Sequence, residues 1–476
     1  MSFQDWIESD STYKCVLVDV DVKDGAEKTL NLSSRPYPGY NPIVIGDSIS
    51  MTERLSLDGR SGFTVGDIEL MNADGSIDSY LDYIWANRSV KVYVGDVRFD
   101  KVDFELVLDG VTDDIDSKSR DVLNIKVRDK LQRLEFPLTE NYLGGSGNNK
   151  DSLLPLCFGE VFNISPLLAD EATLKYQYHQ GATEGVIEVR DNGVPVGFTA
   201  NNTTGTFVLT QDPFGQVTCS VQGDKPTNWN TTAANIINRI VTTYGHSDLR
   251  FSGGDIDSSN FNAFDLANPQ PLGIYIDLSD TVLNVCNQIA QSVGAQLMVN
   301  RLGKLQLHKV TLTPTGTPTE ITSKDIIAGS LSVAQKIKVQ GSFKVQYCKN
   351  WTVQPVLDTR IPAAHKDLLA KEWLEVKAEN ATVKSNYKQL VEVEAIPTLL
   401  LQESDAQDLA DHYLSIYSTP RFILSLTVTP KFMTMNLGDF VTITTNRFGL
   451  DSGKTGQVVG IQINLGNGNV NLEVLI

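Results

Sequence analysis

Histidine and cysteine are scarce in this chain, and neither is arranged to hold a metal or an active site. The five cysteines, Cys15, Cys157, Cys219, Cys286 and Cys348, are odd in number and far apart. With no CxxC pair they exclude a disulfide framework and a zinc or iron–sulfur site, and they read as buried thiols. The five histidines form no HExxH or comparable ligand spacing. No apolar run approaches the ~20 residues that span a bilayer. The N-terminal MSFQDWIESDS lacks the basic-then-apolar plan of a signal peptide, so no secretory route is expected. Basic residues are outnumbered, 40 against 58 acids, for a formal net charge of −18. Nucleic-acid binding through phosphates needs Lys and Arg clusters, and none is visible. Such acidity gives solubility, and it also keeps a polyanion from adhering to a surface that it must pass.

What is present is β-sequence. At 476 residues the chain is long for one core, and three or four domains are expected. The stretch from Leu437 to Ile476 holds three apolar runs with turns between them. Phe440, Val441 and Ile443 lie in the first, Val458, Val459, Ile461 and Ile463 in the second, and Val470, Leu472 and Val474 in the third. A similar phrase occurs early: Gly95-Asp96, a strand from Phe104 to Leu108, GVTDDIDS as a polar turn, then a closing strand with Val122, Ile125 and Val127. Both phrases read Gly-Asp, strand, a glycine-led segment, turn and closing strand. One chain with two similar β-units can, in three copies, offer six similar faces.

The full reading is a multidomain chain, mainly β with an α+β middle. Residues 1–137 form an N-terminal β-domain and 138–166 a linker. Residues 167–225 are a β-rich insert, 226–335 an α+β domain, and 336–476 a C-terminal domain with a helix and the closing meander. Helices are expected over NWNTTAANIINRIVTTYG, SDTVLNVCNQIAQSVG and ESDAQDLADHYLSIYS, from apolar spacing and terminal caps. SIDSYLDYIWANRS also looks helical.

The search for chemistry gives no catalytic, cofactor-binding or metal-binding residues. There is no G-x-S-x-G elbow, and the glycine-rich YLGGSGNNKDS lacks the GK[ST] of a phosphate loop. Asp408 and His412, one helical turn apart, read as a surface pair. Asn72 to Asp78 resembles part of a calcium loop without its terminal Glu, and reads as an Asx turn. Tyr37, Tyr40, Trp85, Trp229, Trp351 and Trp373 suit a sugar-binding surface, core packing or a subunit contact.

Several phrases carry a resemblance. LNLSSRPY, GRSGFTVGDIELMNADGSIDSYLDYIWANRSVKVYVGD, PLTENYLGG and PLCFGEVFNISPLL resemble baseplate proteins of bacteriophages with long non-contractile tails and of related prophages. SDTVLNVCNQIAQSVGAQLMVNRLGKLQLHK and KVQYCKNWTVQ resemble tail hub proteins of phages and gene transfer agents. The resemblance implies two β-barrel-like tube domains plus peripheral domains, with three copies forming a pseudo-sixfold ring that adapts a sixfold tail tube to a threefold tip. It implies a virion location at the tail tip or baseplate, and as partners a distal tail protein, a tape measure protein, tip or fibre proteins, and DNA in passage. Some such hubs hold an iron–sulfur centre on a cysteine cluster that is missing here, so no cofactor is expected. On this reading Val122, Ile125, Val127, Val470, Leu472 and Val474 are candidate ring contacts or ordinary barrel core. Asp113, Asp114 and Asp116 are candidates to face the channel or to sit in a solvated turn. The alternatives are a sixfold distal tail or upper baseplate ring, a carbohydrate-binding adhesin, or a cell-wall hydrolase.

Overall fold

The computed structural model describes residues 3–7, 9, 13–57, 62–314, 316–357, 359–389, 393–466 and 468–476. The chain is mainly β and multidomain. It divides into two compact units, each built from separated stretches. Unit 1 comprises 1–133, 296–338 and 420–476; unit 2 comprises 134–295 and 339–419. Nearly all of 1–137 therefore falls in unit 1, together with 336–338 and 420–476, while 339–419 belong to unit 2, because strand pairing rather than chain proximity groups them.

Unit 1 begins with β1 (Lys14–Asp24), β2 (Ala26–Ser33), β3 (Ser50–Arg54), β4 (Gly62–Val65) and β5 (Ile68–Met71). β6 (Ser89–Asp96), β7 (Glu105–Ser119) and β8 (Val122–Arg128) follow. A hairpin of β9 (Ala295–Val299) and β10 (Leu305–Lys309) comes next, then β11 (Thr319–Thr322) and β12 (Ser332–Lys336). The unit closes with β13 (Phe422–Val428), β14 (Phe440–Thr444), β15 (Lys454–Asn464) and β16 (Val470–Leu475). One sheet runs β2-β1-β6-β7-β8-β5, and the other β11-β14-β15-β16-β13-β12. Alternating Val, Leu and Ile along these strands give each sheet a buried face, with Val18, Val20, Val90, Val92, Ile125, Val441, Ile443 and Val474 all fully enclosed.

Two local readings change. GVTDDIDS is not a turn: β7 continues through it to Ser119, and the hairpin turns at Arg120-Asp121. Its polar residues are those of a strand with an exposed side, whose period-2 signal is carried by Val111 and Ile115 alone. SIDSYLDYIWANRS forms only a 3-10 turn at Asp78–Asp82. Trp85, which is buried, donates from Nε1 to the Tyr80 carbonyl and so fixes a compact loop in place of a helix.

Unit 2 has a five-stranded sheet that centres on Thr183–Asp191, Val217–Asp224 and Leu156–Ile164, packed with a four-stranded sheet around Tyr176, Tyr178, Phe207, Cys157 and Cys219. Gly159 and Gly273 face each other across the strand pair Leu156–Ile164 and Gly273–Ile276, where a Cβ on either would overlap backbone carbonyls. The helices Ala233–Thr243, Val282–Ser292 and Glu403–Tyr417 form where expected. Ala233–Thr243 and Val282–Ser292 pack together, while Glu403–Tyr417 covers a three-stranded sheet with Tyr413 stacked on Phe343 at 5.6 Å.

Candidate assembly site

The two sheets of unit 1 have one topology. In chain order β5, β6, β7 and β8 take the spatial order β6-β7-β8-β5, and β13, β14, β15 and β16 take the order β14-β15-β16-β13. Every neighbour in both sets is antiparallel, and in each the first strand returns beside the last, as in a Greek key. The flanks also correspond. β1 lies beside β6 and β11 beside β14, although the first pair is antiparallel and the second parallel. On the other side Val44 bridges to Leu70 of β5, and β12 pairs with β13.

The register repeats residue by residue. Gly110 of β7 stands opposite Val90 and Gly456 of β15 opposite Val441. Val111 faces Arg128 where Gln457 faces Leu475, and Thr112 faces Val127 where Val458 faces Val474. A bulge then interrupts both strands, after which Ile115–Ile125 matches Ile461–Leu472 and Asp116–Asn124 matches Gln462–Asn471. Both glycines are crowded by the end of the closing strand. A Cβ on Gly110 would lie 3.1 Å from the Arg128 carbonyl oxygen, and one on Gly456 would overlap that of Leu475. Crowding by the last carbonyl of the closing strand is thus common to the two modules, mild at Gly110 and severe at Gly456.

The six candidate contact residues lie in these closing strands. Ile125, Val127, Val470, Leu472 and Val474 are buried within unit 1, and Val122 is half-buried. Each closing strand is central, β8 between β7 and β5 and β16 between β15 and β13, so neither has an open edge. Asp113, Asp114 and Asp116 lie along β7. Asp113 pairs with Arg128 at 2.7 Å and Asp116 with Lys126 at 2.6 Å, while Asp114 accepts from the Ile115 N–H at 2.9 Å. The Lys126 ammonium holds the Asp116 carboxyl below the usual range.

One feature escaped the sequence reading. β3 pairs with β15 over Ser50–Asn464 to Arg54–Gly460, which ties residues near the start of the chain to residues near its end. Met51 and Glu53 share the buried face of β3, and Leu55 just beyond it is buried too. Glu53 there accepts from the Arg301 backbone N–H at 2.7 Å and from its Nη1 at 2.8 Å, both side chains being buried. Arg301, in the β9–β10 turn, also approaches the Met433 carbonyl and Asn436 Oδ1, at 3.4 Å each. The available signal was a lone Glu at an inward position of a period-2 strand, which asks for a buried cation.

Reactive groups elsewhere are enclosed. In unit 2 Asp224 accepts from Arg239 Nε at 2.8 Å and Tyr244 Oη at 2.8 Å, with His179 Nε2 3.5 Å away. Burial pushes this carboxyl up, but the approach of His179, the two hydrogen bonds and the Arg239 charge bring it down to about 2. Its ordinary value is about 3.9. The lowered folded value makes its contribution, about 2 kcal/mol, fully present above pH ~4 and lost as pH falls toward 2. In acid titrations of thermal stability, D224N is expected to be less stable than the parent at pH 6 and to show a flatter slope between pH 4 and 2. Equal slopes would remove Asp224 from that transition. The thiols of Cys157, Cys219 and Cys286 are pushed up by burial, the reverse of what a nucleophile needs.

Among the described residues no group of three or more His, Cys, Asp or Glu could hold a metal ion. In the Asn72–Asp78 loop Asn72 Nδ2 donates to Asp78 and Asp74 accepts from the Ser76 N–H, so the oxygen donors serve an Asx turn. Most of the aromatic candidates are engaged internally: Tyr37 packs on Tyr40 and Phe104, Trp85 donates to the Tyr80 carbonyl, and Lys349 Nζ sits 4.0 Å over Trp351 and 5.3 Å from Trp373. No described helix is long and apolar enough to cross a membrane.

A mainly β unit built on a duplicated, open sheet, with a second β-rich unit, is the class that this fold defines. Among solved structures the chain is similar to the 43 kDa tail protein of prophage MuSo2 from Shewanella oneidensis, at 11% identity and a TM-score of 0.41, over 97% of this chain and 98% of that one. It is similar to prophage tail protein gp18 from Listeria monocytogenes EGD-e, at 10% identity and a TM-score of 0.44, over 96% and 94%. It is also similar to a chain of a native gene transfer agent virion, at 11% identity and a TM-score of 0.45, over 73% of this chain and 91% of that one. No family model and no curated protein matches the sequence.

Proposed function

We propose that this chain is a structural component of a phage tail baseplate, a homotrimeric hub around a channel that continues the tail tube and carries DNA at ejection. The observation that supports this reading is the repeated module. Two sheets of one strand order and one register, each with a crowded glycine at the same place, let three copies of a single chain present six equivalent faces to a sixfold tube. The phrases that resemble baseplate and hub proteins point the same way. The reading places the chain at the virion's tail tip, beside a distal tail protein, a tape measure protein and tip or fibre proteins.

Its work would be mechanical and electrostatic, without an enzymatic step. The excess of acids, with Asp113, Asp114 and Asp116 proposed to face the channel, would keep DNA from adhering in transit.

Mass photometry of the purified chain, with symmetry-free averaging of tail tips by electron microscopy, tests this. Trimers and a threefold ring of this subunit are the expected result. A hexamer would remove the reason for an internal repeat and favour the distal tail ring. A chain that clears peptidoglycan in a zymogram, or binds a glycan array, would sink the structural reading in favour of a hydrolase or an adhesin.

A further inference from the structure

We infer that the edge of β7 from Asp114 to Lys118 takes an added β-strand from a second copy of this chain. The inference rests on the ring reading above and names the contact through which one copy would join the next.

The argument is the matched register. β15 outruns its neighbour: β14 pairs only with its first part, Lys454 to Gln457, and the far part, Gly460 to Asn464, carries β3 on the same side. β7 is built alike. Its pairing with β6 stops at Val111–Ser89, and two further backbone bonds join Thr112 to Asn87 and Arg88. By the register given above, Asp114 to Lys118 are the counterparts of Gly460 to Asn464. Among the described residues, no strand lies on that side of them. One module thus has its arm occupied from within the chain, and the other presents the same arm open.

Burial follows the difference. Ile461 and Ile463 are both buried where β3 lies alongside; of their counterparts Ile115 is buried as well, whereas Ser117 is exposed together with Lys118 and Ser119. The open arm carries charges, Asp114 and Lys118, that keep an edge from pairing indiscriminately. Strand addition to such an edge supplies main-chain hydrogen bonds without a deep pocket. A second copy is the fitting occupant because the equivalent arm is already an interface, filled by a strand of this same chain. In a ring of alternating modules the next arm falls at the boundary between copies.

Hydrogen exchange of the full chain, at concentrations where mass photometry finds monomers and where it finds assemblies, decides the matter. Assembly is expected to slow exchange at the amides of 114–118 by about tenfold or more, with those of Gly460–Asn464 slow in both states. Ser117→Pro is expected to abolish assembly while leaving the monomer's melting temperature within about 2 °C of the parent. Assemblies that form with the 114–118 amides unchanged would overturn this contact and leave the ring standing. A chain that stays monomeric at every concentration would overturn both.

Discussion

Gly456→Val is expected to destabilise unit 1 by about 3 kcal/mol or more, at the upper end of what overpacking costs. A Cβ there overlaps the Leu475 carbonyl oxygen and also meets Ile476 and Val474 side chains. The obstruction is backbone in a central ladder, so no rotamer change relieves it. At the counterpart Gly110 the Arg128 carbonyl lies 3.1 Å from the same position, close enough that a shift of a few tenths of an ångström accommodates a methyl group. Gly110→Ala should accordingly cost about 1 kcal/mol. Urea unfolding of the two variants checks the ranking. If Gly456→Val unfolded at the parent's midpoint, the crowding would not exist, and the match between the modules would lose its sharpest point.

Arg301→Met is the second large effect, about 3–5 kcal/mol, because it leaves the Glu53 carboxylate enclosed without its cation. The Glu53 side chain is 3% exposed and that of Arg301 7%, so water cannot replace the lost partner. The double variant E53M/R301M should recover part of the loss, since it removes the uncompensated charge and leaves only the Arg301 backbone N–H without its acceptor. That recovery separates an uncompensated charge from simple loss of packing. It also reports on the tie between β3 and the β9–β10 turn, which the Glu53–Arg301 contacts make. Denaturant midpoints of the two single variants and the double variant complete the cycle, and a double variant no better than the worse single one would reject this account.

The repeat was legible because its markers are local. A glycine that must lie in the second strand and alternating Val, Leu and Ile in the closing strand survive in both copies. The helices were legible from spacing and caps. What the pattern misassigned was the middle of β7. Asp113, Asp114 and Asp116 look like a turn because turns and exposed edges use the same polar residues, and only the Val111–Ile115 periodicity argues otherwise. The candidate contacts Val122, Ile125, Val127, Val470, Leu472 and Val474 lie in central strands, and all but Val122 are buried within the unit. Val470, Leu472 and Val474 are apolar because those strands sit in the centre of a barrel, and the open edge lies on the polar arm that composition marks as loop.

By itself the sequence determined the mainly β class, the three principal helices, the free state of the cysteines, four of them buried, and the existence of two related β-modules. Each of these follows from residue type and period over a few positions. Tertiary structure alone decided that the start and end of the chain share one unit, and that one arm is covered while its counterpart is open. Strand pairing joins residues separated by hundreds of positions through backbone groups common to every residue, so no local pattern records which edges meet.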